Sequence, residues 1–480
     1  MTIRHYCMEI EVSGLVHIGN GNQYTKKDYF VKSNKIVILD TRKFVSKLNA
    51  QQVSDYCDFL QDKNKGLDLQ TFLQQNADMH KVAETSIAYA LESNLATAKR
   101  GAILYNDVWE FVKDAYGNPY IPGSSVKGML RTAILLNLLR NNTVFKDFCR
   151  NHTEQPLNSS KKLEDKEIIN QAFFKEQPDK MNSNILNDIL KYISVSDSEP
   201  ISVSNLVFAK KFDLFSANDS ASHKRKMGKL AQFEGNELNI YRECLQPGTK
   251  VFININVDSR IDKYLNNPVL DAQGISTILQ RSFNFYSEHF LSNFKNANGD
   301  NSSKNGSENK KPASNICQYV AKSGPLAGER CRNQAVGGTG FCRLHQSEAA
   351  KQQKSSHQET SAATCYIGGG VDFASKTVTA ALFGSKDEQL HAMSRILYNQ
   401  FPTKIDKSKH FSLWGSVERA GFKPKPIYNP RNGRLKKAKV DHRHWLDCQL
   451  GVAPHTMKYG KVGKNNYPMG KCNVSVQSRD

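Results

Sequence analysis

Hydrophobic and polar positions divide the chain into stretches of two different periods. Near the N-terminus Tyr6, Met8, Ile10 and Val12 alternate with Glu9 and Glu11, the period of two expected of a half-buried strand. The strand runs into residues 14–21, which read as a glycine-rich turn. Residues 29–31 and 36–40 flank Ser33-Asn34 and predict a hairpin. From residue 41 to about residue 95 the period is helical, with Val82, Ala83, Ile87, Ala90 and Leu91 as its last stripe. Residues 107–112 read as extended and 116–119 as a turn. A helix starting near Ser124 puts Val126, Leu130, Ile134 and Leu138 on one face. Residues 193–203 are β-rich, and 251–257 alternate most regularly. Between these, the polar and basic stretch 210–237 predicts an excursion from the core. Ile275, Ile278, Leu279, Phe283, Tyr286 and Phe290 mark a further amphipathic helix.

The pattern stops at Lys295. Residues 295–315 are mostly Asn, Ser, Lys and Gly, and 346–364 mostly Gln, Ser, Lys and Ala. Neither carries enough apolar surface to fold alone. Residues 295–365 therefore read as linkers enclosing a small Cys/His block, inserted between core segments 1–294 and 366–480. A mean hydropathy of −0.56 fits such a polar insertion. At 480 residues the chain has room for roughly two to four domains. No apolar run approaches the ~18 residues of a membrane span, and the first twenty residues lack a signal peptide's apolar block. The ten cysteines then read as reduced thiols of a cytoplasmic protein, the inserted block apart. The net charge of +20 favours a polyanionic partner.

One motif concentrates chemistry suited to such a partner: Pro122-Gly123-Ser124-Ser125-Val126-Lys127-Gly128-Met129-Leu130-Arg131. Pro-Gly turns the chain, and Ser124 or Ser125 can cap the helix that follows. A helix N-terminus carries partial positive charge and unpaired N–H groups, which suit an anion. Lys127 sits in that first turn, the wrong end of the dipole for a cation, and an external phosphate would remove the conflict. Arg131, four residues on, is placed to fork onto a neighbouring phosphate. A capped helix with two solvated cations reads equally well from the residues alone.

The motif resembles the signature of the RAMP superfamily, the repeat-associated RNA-binding proteins of CRISPR systems. His17-Ile-Gly19-Asn-Gly21, the stretch Arg242–Thr249 ahead of the regular strand, Gly368-Gly369-Gly370 with Ser375-Lys376, and the C-terminal blocks 453–458 and 467–472 occur in the order this superfamily shows. Together they resemble the fifth-subunit family of type III-A (Csm) effector complexes, over about residues 4–294 and 366–476. The resemblance implies an α+β fold, a modified ferredoxin-like (RRM-type) palm with helical and hairpin insertions. It implies a non-catalytic subunit that binds guide RNA (crRNA) near its 3′ end and serves guide maturation, complex assembly and antiviral defence. The implied partners are a neighbouring RAMP backbone subunit, the small subunit, target RNA and a recruited trimming nuclease. Carried onto this chain, the RNA-binding candidates are Gly19, Gly21, Ser124, Ser125, Lys127, Arg131, Gly368, Gly369, Gly370, Ser375, Lys376 and Lys458. Lys224, Arg225 and Lys226 join them on a thumb-like excursion at about 205–240.

Glycines let a ribose-phosphate backbone approach main-chain N–H groups closely, although Gly19 and Gly21 also fit an ordinary tight turn. Residues 401–480 hold 17 Lys or Arg against 5 Asp or Glu. These cations interleave with Trp414, Tyr428 and Trp445, a combination suited to single-stranded RNA. In the insertion, Cys317, Cys331, Cys342 and His345 form a C-x13-C-x10-C-x2-H array with the donors of a tetrahedral zinc site. The array resembles short Cys3His knuckles, and a structural zinc would stabilise a segment too small for a core. The alternatives are a RAMP endoribonuclease using His17 as general acid or base, and a recruitment module built on the knuckle. His442 and His444 read as a solvated or RNA-facing pair.

Overall fold

The alternating N-terminal segment forms the middle strand of a five-stranded antiparallel sheet. The computed structural model describes residues 2–33, 35–62, 67–92, 107–141, 143, 188–218, 235–265, 269–294, 362–400 and 444–479. Strand β1 (Ile3–Val12) pairs with β10 (Lys250–Asp258) on one side and β14 (Lys471–Ser478) on the other. β7 (Ile193–Val195) and β11 (Ala363–Tyr366) are the edges, giving the order β11-β14-β1-β10-β7. Tyr6, Met8, Ile10 and Val12 share a buried face with Val251, Ile253, Ile255 and Val257. Each such side chain is worth roughly 1.5–3 kcal/mol when fully buried.

That face is covered by the two helices whose apolar stripes are visible in the sequence. In α5 (Gly123–Asn141), Val126, Leu130, Ile134 and Leu138 are buried; in α6 (Ala272–His289), Ile275, Ile278 and Leu279 join the same core. In chain order β1, α5, β7, β10, α6 and β14 run β-α-β-β-α-β, with the strands side by side as β14-β1-β10-β7.

A second sheet is ordered β13-β12-β8-β9-β6-β2: β2 (Gly19–Tyr24), β6 (Val108–Phe111), β8 (Leu206–Phe215), β9 (Gly235–Leu245), β12 (Thr456–Val462) and β13 (Asn465–Pro468). A third, β3 (Tyr29–Lys32), β4 (Lys35–Leu39) and β5 (Ile87–Glu92), packs on α1 (Thr41–Val45), α2 (Ala50–Gln61), α3 (Leu69–Gln75) and α4 (Ala77–Glu84). Its core is aromatic, with Phe59 stacked 4.4 Å from Phe72 and Phe44 edge-on to Tyr56 at 5.2 Å. α7 (Lys386–Gln400) and α8 (Asp447–Leu450) complete the described helices.

Four expectations need correction. The helical stretch ends at Glu84; Ile87, Ala90 and Leu91 belong to β5, where pairing of Ile36 with Leu91 overrides the local pattern. Residues 14–21 are not a free turn: Leu15, Val16 and His17 bridge to Met469, Leu245 and Gly369, and β2 begins at Gly19. The two ends of the stretch 210–237, residues 210–215 and 235–237, belong to a core hairpin. β8 and β9 pair from Leu206↔Leu245 outward, with Phe212, Leu214 and Phe215 buried; residues 219–234, the greater part of the stretch, lie outside the described residues. The β-rich stretch 193–203 is a strand only to Val195; beyond it the chain turns to meet the start of α5. The chain divides into two units, residues 1–297 with 362–480, and residues 298–361. The latter, with Cys317, Cys331, Cys342 and His345, lies outside the described residues, as do Lys224, Arg225, Lys226 and all of the basic segment 401–443. Among the described residues no helix is long and apolar enough to cross a membrane, and six cysteines are free thiols.

Candidate nucleic-acid interface

Motifs far apart in sequence meet beside the first sheet. The segment leaving β1 is laced into its neighbours by main-chain hydrogen bonds. Val16 N–H donates to the Leu245 carbonyl (3.2 Å), Gly470 N–H to that of Leu15 (2.6 Å), and Gly369 N–H to that of His17 (2.6 Å). Four of the glycine-bearing blocks are thereby held in one place.

Gly368 shows why one of these positions is glycine. Its φ is +88°, and a Cβ there would fall on the His17 carbonyl oxygen. The close approach it permits is made by the chain itself, not by an incoming phosphate. Gly123 has a similar constraint: a Cβ would overlap the Val195 and Ser196 carbonyls. α5 therefore starts flush against the end of β7.

Between α5, α6 and this loop lies a groove of about 500 Å³. Ser124, Ser125, Gly128 and Met129 form one wall and Ser282 and Phe283 the other. Gly19, Gly368, Gly369, Ser375 and Lys376 close its end. Seven residues singled out from sequence thus line one cavity: Gly19, Ser124, Ser125, Gly368, Gly369, Ser375 and Lys376. Lys376 is exposed at its surface, yet the groove walls exclude enough water to hold its ammonium below the usual lysine range. Ser375 Oγ donates to the Asp372 carbonyl (2.8 Å), which fixes the turn that presents Lys376.

The other candidates lie elsewhere. Ser124 and Ser125 do not cap α5; Asp197 Oδ1 accepts from Gly123 N–H at 2.7 Å. Lys127 and Arg131 do not line the groove but share a face with Asp188, whose Oδ2 is 3.4 Å from Arg131 Nη2. Burial holds Lys127 below the lysine range, Asp188 opposing and Arg131 reinforcing the shift. The anion that the misplaced Lys127 calls for is thus partly supplied from within. Gly21 is exposed at φ +93°, where a Cβ would meet nothing within 4 Å, and a Cβ at Gly370 would come to 3.5 Å from the Arg242 guanidinium.

Lys458 anchors a layer behind the loop. Its Nζ is 3.0 Å from Asp213 Oδ1, and its main-chain N–H donates to Asp372 at 2.8 Å. Asp372 is fully buried, accepts from Tyr286 Oη at 3.1 Å, and has its carboxyl pushed up to about 7 by that burial. Lys211, 3.7 Å from Asp213, and Arg242 stand nearby, both held below their usual ranges chiefly by burial. Three cations around Asp213 make this layer net positive. Lys211 and Arg242 were not singled out from sequence, although Arg242 opens a quoted motif; only the register of β8, β9 and β12 brings them to Lys458.

His17 is buried and its Nδ1–H donates to the Glu243 carbonyl at 2.7 Å. Burial, with Arg242 and Lys113 near, drives its pKa down to about 4. Glu243, also fully buried, accepts from Lys113 Nζ (2.6 Å), Tyr89 Oη (2.6 Å) and Phe111 N–H (2.9 Å). His444 is buried against Asp447, which corrects its reading as solvated or RNA-facing; His442 lies outside the described residues.

Comparison with known proteins places these features in context. A sequence model of the RAMP superfamily matches residues 9–310. The chain is 25% identical over 272 residues to a CRISPR system Cms protein Csm5 of Mycobacterium tuberculosis, covering 54% of this chain and 67% of that one. It is 29% identical over 249 residues to the Csm5 of Streptococcus thermophilus, covering 49% and 59%. Among solved structures, it resembles a chain of a Csm–crRNA–target RNA ternary complex of a type III-A system at 14% identity and TM-score 0.48, covering 99% of this chain and all of that one. It resembles T. onnurineus Csm5 at 16% identity and TM-score 0.43, covering 97% and 99%.

Proposed function

Because the chain belongs to the RAMP superfamily, we propose that it is a guide-RNA-binding subunit of a type III-A CRISPR effector complex. In this reading it holds the 3′ part of the guide and supports its maturation, complex assembly and antiviral defence in the prokaryotic cytoplasm. The observation that carries the reading is the convergence of the Gly19, Ser124-Ser125, Gly368-Gly369 and Ser375-Lys376 segments on one groove, together with relatives that are Csm5 proteins.

The groove would act on a ribose-phosphate strand through neutral donors and one cation. Ser124 and Ser125 hydroxyls lie along one wall, and Lys376, kept partly dry, is a stronger electrostatic partner than a fully solvated lysine. Phe283 and Tyr366, whose rings stack 6.4 Å apart on the groove lining, would be the aromatic surface for a base. The β-α-β-β-α-β order with strands β14-β1-β10-β7 supports a ferredoxin-like (RRM-type) palm. Its neighbours in the particle would be a RAMP backbone subunit, the small subunit and target RNA, with a trimming nuclease recruited from outside.

A non-catalytic role is supported by the state of His17. Its imidazole is sequestered and held neutral near pH 7, which suits neither proton donation nor strong basicity. The knuckle Cys317, Cys331, Cys342 and His345 remains part of the proposal as a zinc-stabilised insert.

The reading is tested by RNA binding across a salt series. Lys376→Ala should weaken guide binding with little sequence preference and flatten the salt slope by about 0.7, one phosphate contact on a single strand. Lys127→Ala with Arg131→Ala should change the slope less than two such contacts, since Asp188 already engages that face. An unchanged slope for Lys376→Ala removes the groove as the phosphate site. Metal-independent cleavage of a labelled guide precursor, abolished by His17→Ala, would overturn the non-catalytic role.

A further inference from the structure

Away from the groove, three side chains near the C-terminus meet in a buried cluster that RNA binding does not use. His444 opens a 3-10 turn (His444–Leu446), Asp447 begins α8, and His455 directly precedes β12. Asp447 is fully buried, with His444 and His455 only 9% and 3% exposed. One imidazole faces each carboxylate oxygen: His444 Nδ1 is 2.9 Å from Oδ2 and His455 Nδ1 2.5 Å from Oδ1. A donor atom from each residue lies within 4.8 Å of the other two. We propose that His444, Asp447 and His455 bind a divalent first-row transition ion of the zinc class through two imidazole nitrogens and one carboxylate oxygen.

A carboxylate this far from water needs a compensating charge. Among the described residues, the ion pairs of Asp447 are with these two histidines, and no lysine or arginine reaches it. A divalent ion supplies the charge without requiring a protonated imidazole. Tetrahedral bonds of about 2.0–2.2 Å to nitrogen and oxygen place neighbouring donors about 3.3 Å apart. The two nitrogen–oxygen contacts, 2.9 and 2.5 Å, need to open by less than about 1 Å, and no donor lies more than 4.8 Å from another. The rings stand 61° apart with centroids 5.6 Å distant, so they bracket the carboxylate rather than stack.

The donors are held by the surrounding chain. The His455 carbonyl accepts from Ser216 N–H at 3.1 Å, just beyond β8, and the Asp447 carbonyl from Val452 N–H at 3.3 Å. Cys448 is turned away, its Sγ 3.6 Å from His391 Nδ1 on α7. The set is therefore nitrogen and oxygen only, which favours a borderline ion such as Zn(II) over a soft one. Three protein donors leave a fourth position for water. The ion would clip α8 to the start of β12, the strand that carries Lys458.

The test uses the full chain carrying Cys331→Ser and Cys342→Ser, so that zinc on the proposed knuckle is not counted. After equilibration with Zn(II) and desalting, about one metal per chain should remain, and His455→Ala should remove it. Co(II) should give ligand-field bands without the charge-transfer bands of a thiolate site. Should His455→Ala fail to fold, the Co(II) spectrum of its parent decides alone: absent bands, or bands with thiolate character, overturn the site. Retention of a full equivalent by a folded His455→Ala or Asp447→Asn chain overturns it equally.

Discussion

Replacing Asp372 by Asn should make the protein more stable at alkaline pH and change how its stability depends on pH. The carboxyl lies wholly inside, below the Gly368–Gly370 loop, and burial raises its pKa from 3.8 to about 7. For an acid whose folded pKa is raised, the native state keeps its proton where the unfolded chain has lost it. The native state therefore binds more protons between pH 3.8 and about 7, and stability falls as pH rises through that window. The rise from 3.8 to about 7 corresponds to a loss of about 4 kcal/mol, complete above pH 7 and absent below the unfolded pKa. Asn keeps an oxygen to accept from Lys458 N–H, now at 2.8 Å, and an NH2 to donate to Tyr286 Oη, now at 3.1 Å, but it cannot ionise. Urea unfolding of the full chain and of Asp372→Asn from pH 5 to pH 8.5 should give curves that diverge with rising pH, the variant gaining up to about 4 kcal/mol at the top. Parallel curves would show that Asp372 ionises in the native state as readily as in the unfolded one, and the account of this buried layer would fail.

Two other substitutions separate stability from binding. Gly128 lies exposed within α5 on the groove wall, and a Cβ there would meet nothing within 4 Å. Gly128→Ala should therefore raise stability by up to about 1 kcal/mol through helix propensity, while its methyl narrows the groove and weakens guide binding. Thermal unfolding paired with an RNA titration checks this, and stronger or unchanged binding counts against the groove. Glu243→Ala leaves Lys113, whose side chain is 7% exposed, with Glu110 at 3.3 Å as its remaining acidic partner. The loss should be about 3–5 kcal/mol, read by denaturant titration; a loss below about 1 kcal/mol would mean that the network around Glu243 contributes little.

Local signals carried much of the architecture. The alternation in β1 and β10 and the stripe of α5 correspond to side chains that are in fact buried, because one face of each must meet the core. The serine and glycine candidates were legible for a related reason, since small residues and turn formers at element ends mark where main chain is exposed to a ligand or to itself. Errors arose where long-range pairing competes with local pattern. Ile87 and Leu91 fit a helix by spacing, but the β4 edge claims them as a strand. The basic residues of β8 suggested a protruding excursion, yet the strand buries Phe212 and Leu214 while Lys210 and Lys211, only partly exposed, are neutralised by Glu237 and Asp213.

Composition, period and motif order alone thus determined a basic α+β chain, its two principal helices, its central strands and a set of residues suited to phosphate contact. Which of those residues share a site was decided only by tertiary structure. Lys127 and Arg131 stand next to Ser124 and Ser125 in sequence but turn toward Asp188, while Lys376, some 250 residues away, joins the serines in the groove. The same holds for Asp447, whose neighbours His444 and His455 are brought to opposite oxygens by the turn between α8 and β12. Side-chain direction depends on helix phase and strand register, and both are set by what each element packs against.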